Sequence, residues 1–118
     1  MDIQGNFCLE TRYRGEKVVF TEEQRALKSV KHPELRDIDF IKGRVKNAIE
    51  DPDFIYQDLA HPETRRIHYL KEYSINNETR YTKVVISKEE MLFFVITAYR
   101  PNYIKESGKT KMVYQKNV

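Results

Sequence analysis

The feature that most constrains this chain is a change of hydrophobic period near Pro52. Before it, Ile38, Ile41, Val45, Ala48 and Ile49 recur at helical spacing, with Lys42, Arg44, Lys46 and Asn47 on the other positions. That is the stripe of an amphipathic helix beginning after Asp37 and closed by Pro52. After it, residues 54–57, 66–73, 81–86 and 91–99 are rich in β-branched and aromatic side chains. The gaps between them, Ala60-His61-Pro62-Glu63, Asn76-Asn77-Glu78 and Ser87-Lys88-Glu89-Glu90, are turn-forming and short. Connections this short join antiparallel neighbours, because a parallel pair needs a crossover of about a dozen residues or more.

Upstream, Lys17-Val18-Val19-Phe20 reads as a short strand running into Thr21-Glu22-Glu23-Gln24, which has the form of a capping box. The helix it starts would present Ala26, Leu27 and Val30 on one side and stop near Lys31, since Pro33 disfavours helical geometry at His32. The expected fold is α+β: N-terminal helices packed on a four-stranded antiparallel meander, with Ile38, Ile41, Val45 and Ile49 against one face. In 91–99, Leu92, Phe94, Ile96 and Ala98 are expected to point one way and Phe93, Val95, Thr97 and Tyr99 the other. A strand apolar on both faces is central and covered twice. The second face then needs the first helix, the N-terminal segment, the C-terminal tail or a second copy of the chain.

A chain of 118 residues fits one domain, with its core expected at about 17–100 and 101–118 as a basic tail or an edge strand around Met112-Val113-Tyr114. With 40% hydrophobic and 33% charged residues the chain is neither disordered nor membrane-embedded in character. No run approaches the roughly 20 apolar residues of a membrane-spanning helix, and the first ten residues do not read as a signal peptide. Cys8 is the single cysteine, so no internal disulfide can form and a reducing, cytoplasmic setting is expected. It reads as a small, half-buried apolar residue. The net charge of +3 is mild and compatible with an anionic partner. Arg100, Lys105, Lys109, Lys111 and Lys116 face only Glu106 at the C-terminal end, as a solvated terminus or a phosphate-contacting strip.

Several chemistries lack their signatures. There is no P-loop, dinucleotide-binding glycine fingerprint or nucleophile elbow. His32, His61 and His68 are not at helical metal-ligand spacing, one cysteine builds no zinc cluster, and the acids are scattered among bases. No metal and no cofactor are therefore expected. RNA cleavage stays open, because RNA carries its own nucleophile, the 2′-hydroxyl, and needs only a base, an acid and cations around the phosphorus. His32 is the candidate for proton exchange, although a histidine before proline is commonly a helix-boundary residue. Lys83 is unusual as a cation beside the apolar run Val84-Val85-Ile86. Thr97 and Tyr99 share a face where 91–99 turns polar; singly, each also suits the edge of a core. Arg65, Arg66 and His68 open the second strand and could clamp a phosphate, while an arginine pair is more often a solvated strand end. Tyr56, Tyr69, Tyr73 and Tyr81 offer stacking surface for bases.

Four pieces of this sequence resemble a known family. His32-Pro33-Glu34, the helix exit Ile49-Glu50-Asp51-Pro52-Asp53-Phe54-Ile55-Tyr56, the strand Lys83-Val84-Val85-Ile86 and Val95-Ile96-Thr97-Ala98-Tyr99 look like the phage and mobile-element branch of the barnase–EndoU–colicin–RelE-like nucleases. The resemblance covers roughly residues 20–100. It implies a barnase/RelE-like fold and a metal-independent endoribonuclease that leaves a 2′,3′-cyclic phosphate, toxin-like or associated with a mobile element. RNA is the implied partner, with a cognate inhibitor or immunity protein as a second and no membrane. Carried over by position, it implies His32, Lys83, Thr97 and Tyr99 as catalytic residues and one of Arg65 and Arg66 on the substrate. An inactive binding module of the same fold and a sheet-mediated dimer are the alternatives. Convergence of His32 or His68 with at least two cations on one concavity lined by Thr97 and Tyr99 discriminates the nuclease from both.

Overall fold

Tyr13-Arg14-Gly15-Glu16 is where the chain first reverses. In the computed structural model, which describes residues 6–72, 76–105 and 108–116, Arg14 (φ 51°) and Gly15 (φ 83°) are the two turn residues between β1 (Phe7–Tyr13) and β2 (Glu16–Thr21). Positive φ at both positions matches the right-handed twist of a tight hairpin. The sequence reading places no strand before residue 17, because Arg-Gly is a weak turn signal. The Arg14 guanidinium lies 5.2 Å from the Tyr13 ring centre and 5.5 Å from that of Tyr114, which helps hold this corner.

The helices follow this hairpin instead of opening the fold. Helix α1 (Glu22–Ser29) is capped by the Thr21 side chain, which accepts from the Gln24 amide at 3.2 Å. A 3₁₀ turn (Pro33–Arg36) leads to a second helix, residues 38–50, that widens to π geometry over Ile41–Val45. A π turn takes in an extra residue and rotates what precedes it. Ile41, Val45, Ala48 and Ile49 are buried as the stripe requires, but Ile38 turns outward and Phe40 takes the inward position. The expected apolar side of α1 is likewise not buried: Ala26, Leu27 and Val30 are exposed. The helix is held instead by polar contacts, Gln24 Nε2 donating to the Ile96 carbonyl (2.6 Å) and Arg25 Nη1 to that of Leu35 (2.9 Å).

Then come β3 (Phe54–Asp58), β4 (Arg65–Lys71), β5 (Tyr81–Glu89) and β6 (Leu92–Tyr99), each antiparallel to the next as expected. They are not a free-standing four-stranded sheet. β2 pairs in parallel with β6, and β7 (Thr110–Gln115) pairs with β3, giving seven mixed strands in the order β1-β2-β6-β5-β4-β3-β7. Short-loop reasoning cannot see the β2–β6 pair, whose partners are joined by the helices and three strands.

The second helix packs on one sheet face with Val84, Ile86, Val95 and Ala98, and Cys8, Leu9 and Tyr13 from before residue 17 join this core. The other face carries a smaller cluster of Tyr56, Ile67 and Tyr69, against which Phe54, Tyr81, Val85 and Ile104 pack. Ile104 belongs to the segment after β6, so the C-terminal part of the chain covers this face in part.

β6 does not alternate simply. Val85 pairs with Thr97 and Ile86 with Val95, leaving Ile96 as an extra residue. A bulge of this kind reverses which side chains face the core. Phe93, Val95 and Ala98 therefore all enter the main core, whereas unbroken alternation would put Ala98 opposite the other two.

Candidate functional site

Beyond the bulge, Thr97 and Tyr99 share the face away from the second helix, as β6 leaves the apolar run. Tyr99 sits directly across from Lys83 on β5, and Lys83 from Tyr69 on β4. The Lys83 ammonium lies 5.4 Å from the Tyr99 ring centre and 5.8 Å from that of Tyr69. Two tyrosine rings thus hold a cation that makes no ion pair with a carboxylate among the described residues.

His32 comes to the same point from the other side of the sequence. Its ring stacks on that of Tyr99, with centres 4.2 Å apart and planes 5° from parallel. The backbone explains the approach: the His32 amide donates to the Lys28 carbonyl at the end of α1, and Pro33 starts the 3₁₀ turn. Glu34, in that turn, accepts from the Arg100 amide at 3.2 Å and so ties the turn to the residue after Tyr99. On the other side of this strand end, Arg100 lies over the Phe40 ring (4.4 Å) and donates to Glu72 (3.4 Å). Partial burial, opposed by the Glu34 charge, holds the His32 imidazole below its ordinary pKa. It is the free base at neutral pH, and so equipped to accept a proton. Glu34 is a member of the site that the sequence reading left without a role, although its His-Pro-Glu context was visible.

The other candidates divide between the two faces. Thr97 pairs with Val85, two residues along from the Lys83–Tyr99 pair and so on the same face; its hydroxyl is buried with no hydrogen-bond partner among the described residues. Arg65 is on the same face as Tyr69 but four residues away along β4, about 13 Å, and its guanidinium lies 3.5 Å from Asp58, which also meets His61 at 3.5 Å. Arg65 is therefore outside the His32–Tyr99–Lys83 cluster. Arg66 and His68 are a correction. Strand alternation puts them on the opposite face, Arg66 over the Phe93 ring (5.1 Å) and beside Glu16 (3.8 Å), His68 fully buried edge-on to Tyr13 (4.9 Å). Burial lowers the His68 pKa to about 4, opposed by the nearby Ala48 backbone, and neither ring nitrogen has a partner in hydrogen-bond geometry. With no exposed surface, the His68 side chain packs in the core and is not placed to touch a substrate in this structure. Tyr56 and Tyr69, 4% and 2% exposed, are packing residues in this conformation, and Tyr73 lies outside the described residues.

Among the described residues no three His, Cys, Asp or Glu side chains converge as a metal-ligand set, and no helix is long and apolar enough to cross a membrane.

A second helix packed on one face of a mixed sheet, with a histidine, a lysine and a tyrosine gathered on the other face, defines an α+β protein with a polar site at a strand end. Comparison with known protein families matches residues 3–115 to the one described as phage Barnase-EndoU-ColicinE5/D-RelE like nuclease 2. The chain belongs to this family of nucleases, the phage branch of the barnase–EndoU–colicin–RelE-like group. No curated protein and no solved structure matches it.

Proposed function

We propose that the protein is a metal-independent endoribonuclease acting through the cluster of His32, Lys83 and Tyr99. The RNA 2′-oxygen attacks the adjacent phosphorus, forming the 2′-O–P bond while the bond from phosphorus to the 5′-oxygen breaks. His32 takes the 2′-hydroxyl proton, and protonation of the departing 5′-oxygen by solvent balances the step. The products are a 2′,3′-cyclic phosphate and a 5′-hydroxyl. Lys83 offsets charge building on the phosphoryl oxygens, and the Tyr99 hydroxyl orients them. Thr97 supports Tyr99 from within the strand. Arg65 serves only RNA that extends along the face.

The observation that carries this reading is the flat stacking of His32 on the tyrosine whose ring also holds Lys83. A base-competent imidazole beside an unpaired cation supplies two of the parts this chemistry uses, with solvent as the acid, and membership of a nuclease family supports a nucleic-acid substrate. The same reading takes RNA as partner, a toxin-like or mobile-element role, a cognate inhibitor and a reducing compartment.

The test is incubation of purified protein with end-labelled RNA in excess EDTA, with the fragment ends identified. Cyclic phosphate ends in EDTA are expected. Cleavage that vanishes in EDTA and returns with a divalent ion rejects the mechanism, and tight RNA binding without cleavage points to an inactive module of this fold.

A further inference from the structure

Lys83 lies against the rings of Tyr69 and Tyr99, Tyr56 and Tyr81 share this sheet face, and packing separates the four. Tyr99 has one ring face taken by His32. Tyr56 and Tyr69 are buried. Tyr81, two residues before Lys83 on β5 and so on the same face at about 6.6 Å, is only partly buried. Its ring neighbours, Phe54 (6.5 Å, 67°) and Tyr69 (6.3 Å, 81°), meet it edge to face. Among the described residues no ring lies parallel to Tyr81. The Tyr81 amide donates to the Pro101 carbonyl (3.2 Å), which brings the segment after β6 alongside, and two residues on stands Tyr103, 67% exposed.

From this arrangement we infer that Tyr81 is a stacking subsite for the nucleobase next to the scissile phosphate, with Tyr103 as a second ring at its rim. The inference rests on the nuclease reading of this face. A nucleotide whose phosphate meets Lys83 brings its base within reach of Tyr81. Phe54 and Tyr69 meet the Tyr81 ring at steep angles and Ile104 packs against the same cluster, so a base would supply the flat partner that the described rings do not. Every base has a π-face, so the subsite accepts all four bases, but the base must be unstacked; the substrate is therefore single-stranded RNA.

The test reads binding, so it stands apart from whether the protein cleaves. Fluorescence anisotropy of labelled 2′-O-methyl hexanucleotides, which lack the nucleophile, gives the Kd for a full strand and for strands with one abasic position. At one position, loss of the base should weaken wild-type binding about 5- to 100-fold. Tyr81→Ala should weaken the full strand similarly and be indifferent to that abasic position, while Tyr81→Phe should behave as wild type. Because the abasic comparison in wild type involves no mutation, a folding defect in Tyr81→Ala cannot mimic the result. The inference is overturned if no abasic position matters, if the two losses simply add, or if single strands bind no better than duplex. Cleavage in EDTA together with any of these results would leave the nuclease reading standing without the subsite.

Discussion

His32 and Tyr99 are far apart in sequence, and neither was remarkable alone: one a histidine before a proline, the other a tyrosine at a strand end. Their stacking, with Lys83 beside them, makes function testable by single substitutions. Removing a group that acts mainly in the transition state costs on the order of 10²- to 10³-fold in rate. His32→Ala and Lys83→Ala should lose about that much RNA cleavage while the Tm stays near wild type; Tyr99→Phe isolates the hydroxyl. Losses of stability with activity following the folded fraction would instead make these residues boundary packing. Glu34 offers a finer check. Its charge opposes the burial that depresses the His32 pKa, so Glu34→Gln should lower that pKa further. With His32 acting as a base, the acid limb of the kcat/KM profile should move to lower pH. A limb that stays in place, or moves up, would separate Glu34 from the proton transfer. Cys8 has the opposite character: its thiol is buried, donates to the Phe20 carbonyl at 3.3 Å, and burial pushes its pKa up to about 11.

At the scale of elements, two irregularities decide which side chains face where. The bulge at Ile96 lets one strand feed the main core through Phe93, Val95 and Ala98 and still present Thr97 and Tyr99 on the other face. Gln24 steadies it by donating to the Ile96 carbonyl. Gln24→Ala should destabilise the fold by about 1 kcal/mol and lower cleavage by more than the loss of folded protein explains; rates unchanged per folded molecule would show that Tyr99 does not depend on this tether. The π turn of the second helix contains Gly43, where an added Cβ meets nothing within 4 Å and φ is not positive. Gly43→Ala should therefore stabilise by roughly 0.5–1 kcal/mol through lost freedom of the unfolded chain, a rise of a few degrees in Tm. A fall in Tm would mean the π geometry itself needs glycine.

At the scale of the whole molecule, His68 ties stability to acidity. Its pKa is about 4 in the fold, against an ordinary 6.5. At pH 7 it is neutral in both states and contributes no pH dependence. As pH falls below 6.5 the unfolded chain gains a proton that the folded chain refuses, so stability declines, and the decline levels off below about pH 4. The gap corresponds to roughly 3 kcal/mol. Urea unfolding of wild type and His68→Gln between pH 7 and 4 should show this dependence in the first and less of it in the second. Equal slopes would place the acid sensitivity elsewhere.

What the sequence by itself determined is the local part of this protein. The period of 38–49, the cap at Thr21 and the short turns between β3 and β6 come from interactions among near neighbours, and each led to the right element. Lys83 and Tyr99 were also legible as candidates for the proposed site, since a cation and a hydroxyl bordering apolar runs stand out one residue at a time. Three things were decided only by tertiary structure. The parallel β2–β6 pair and the β3–β7 pair join segments with no short connection, so no turn chemistry announces them. The faces of Phe40 and Ala98 depend on one extra residue in a helix turn and one in a strand, and such an insertion leaves hydrophobic composition unchanged. The separation of His68 and Arg66 from the site follows from strand alternation once Tyr69 is known to face Lys83, and that register is set by strands pairing across the whole sheet.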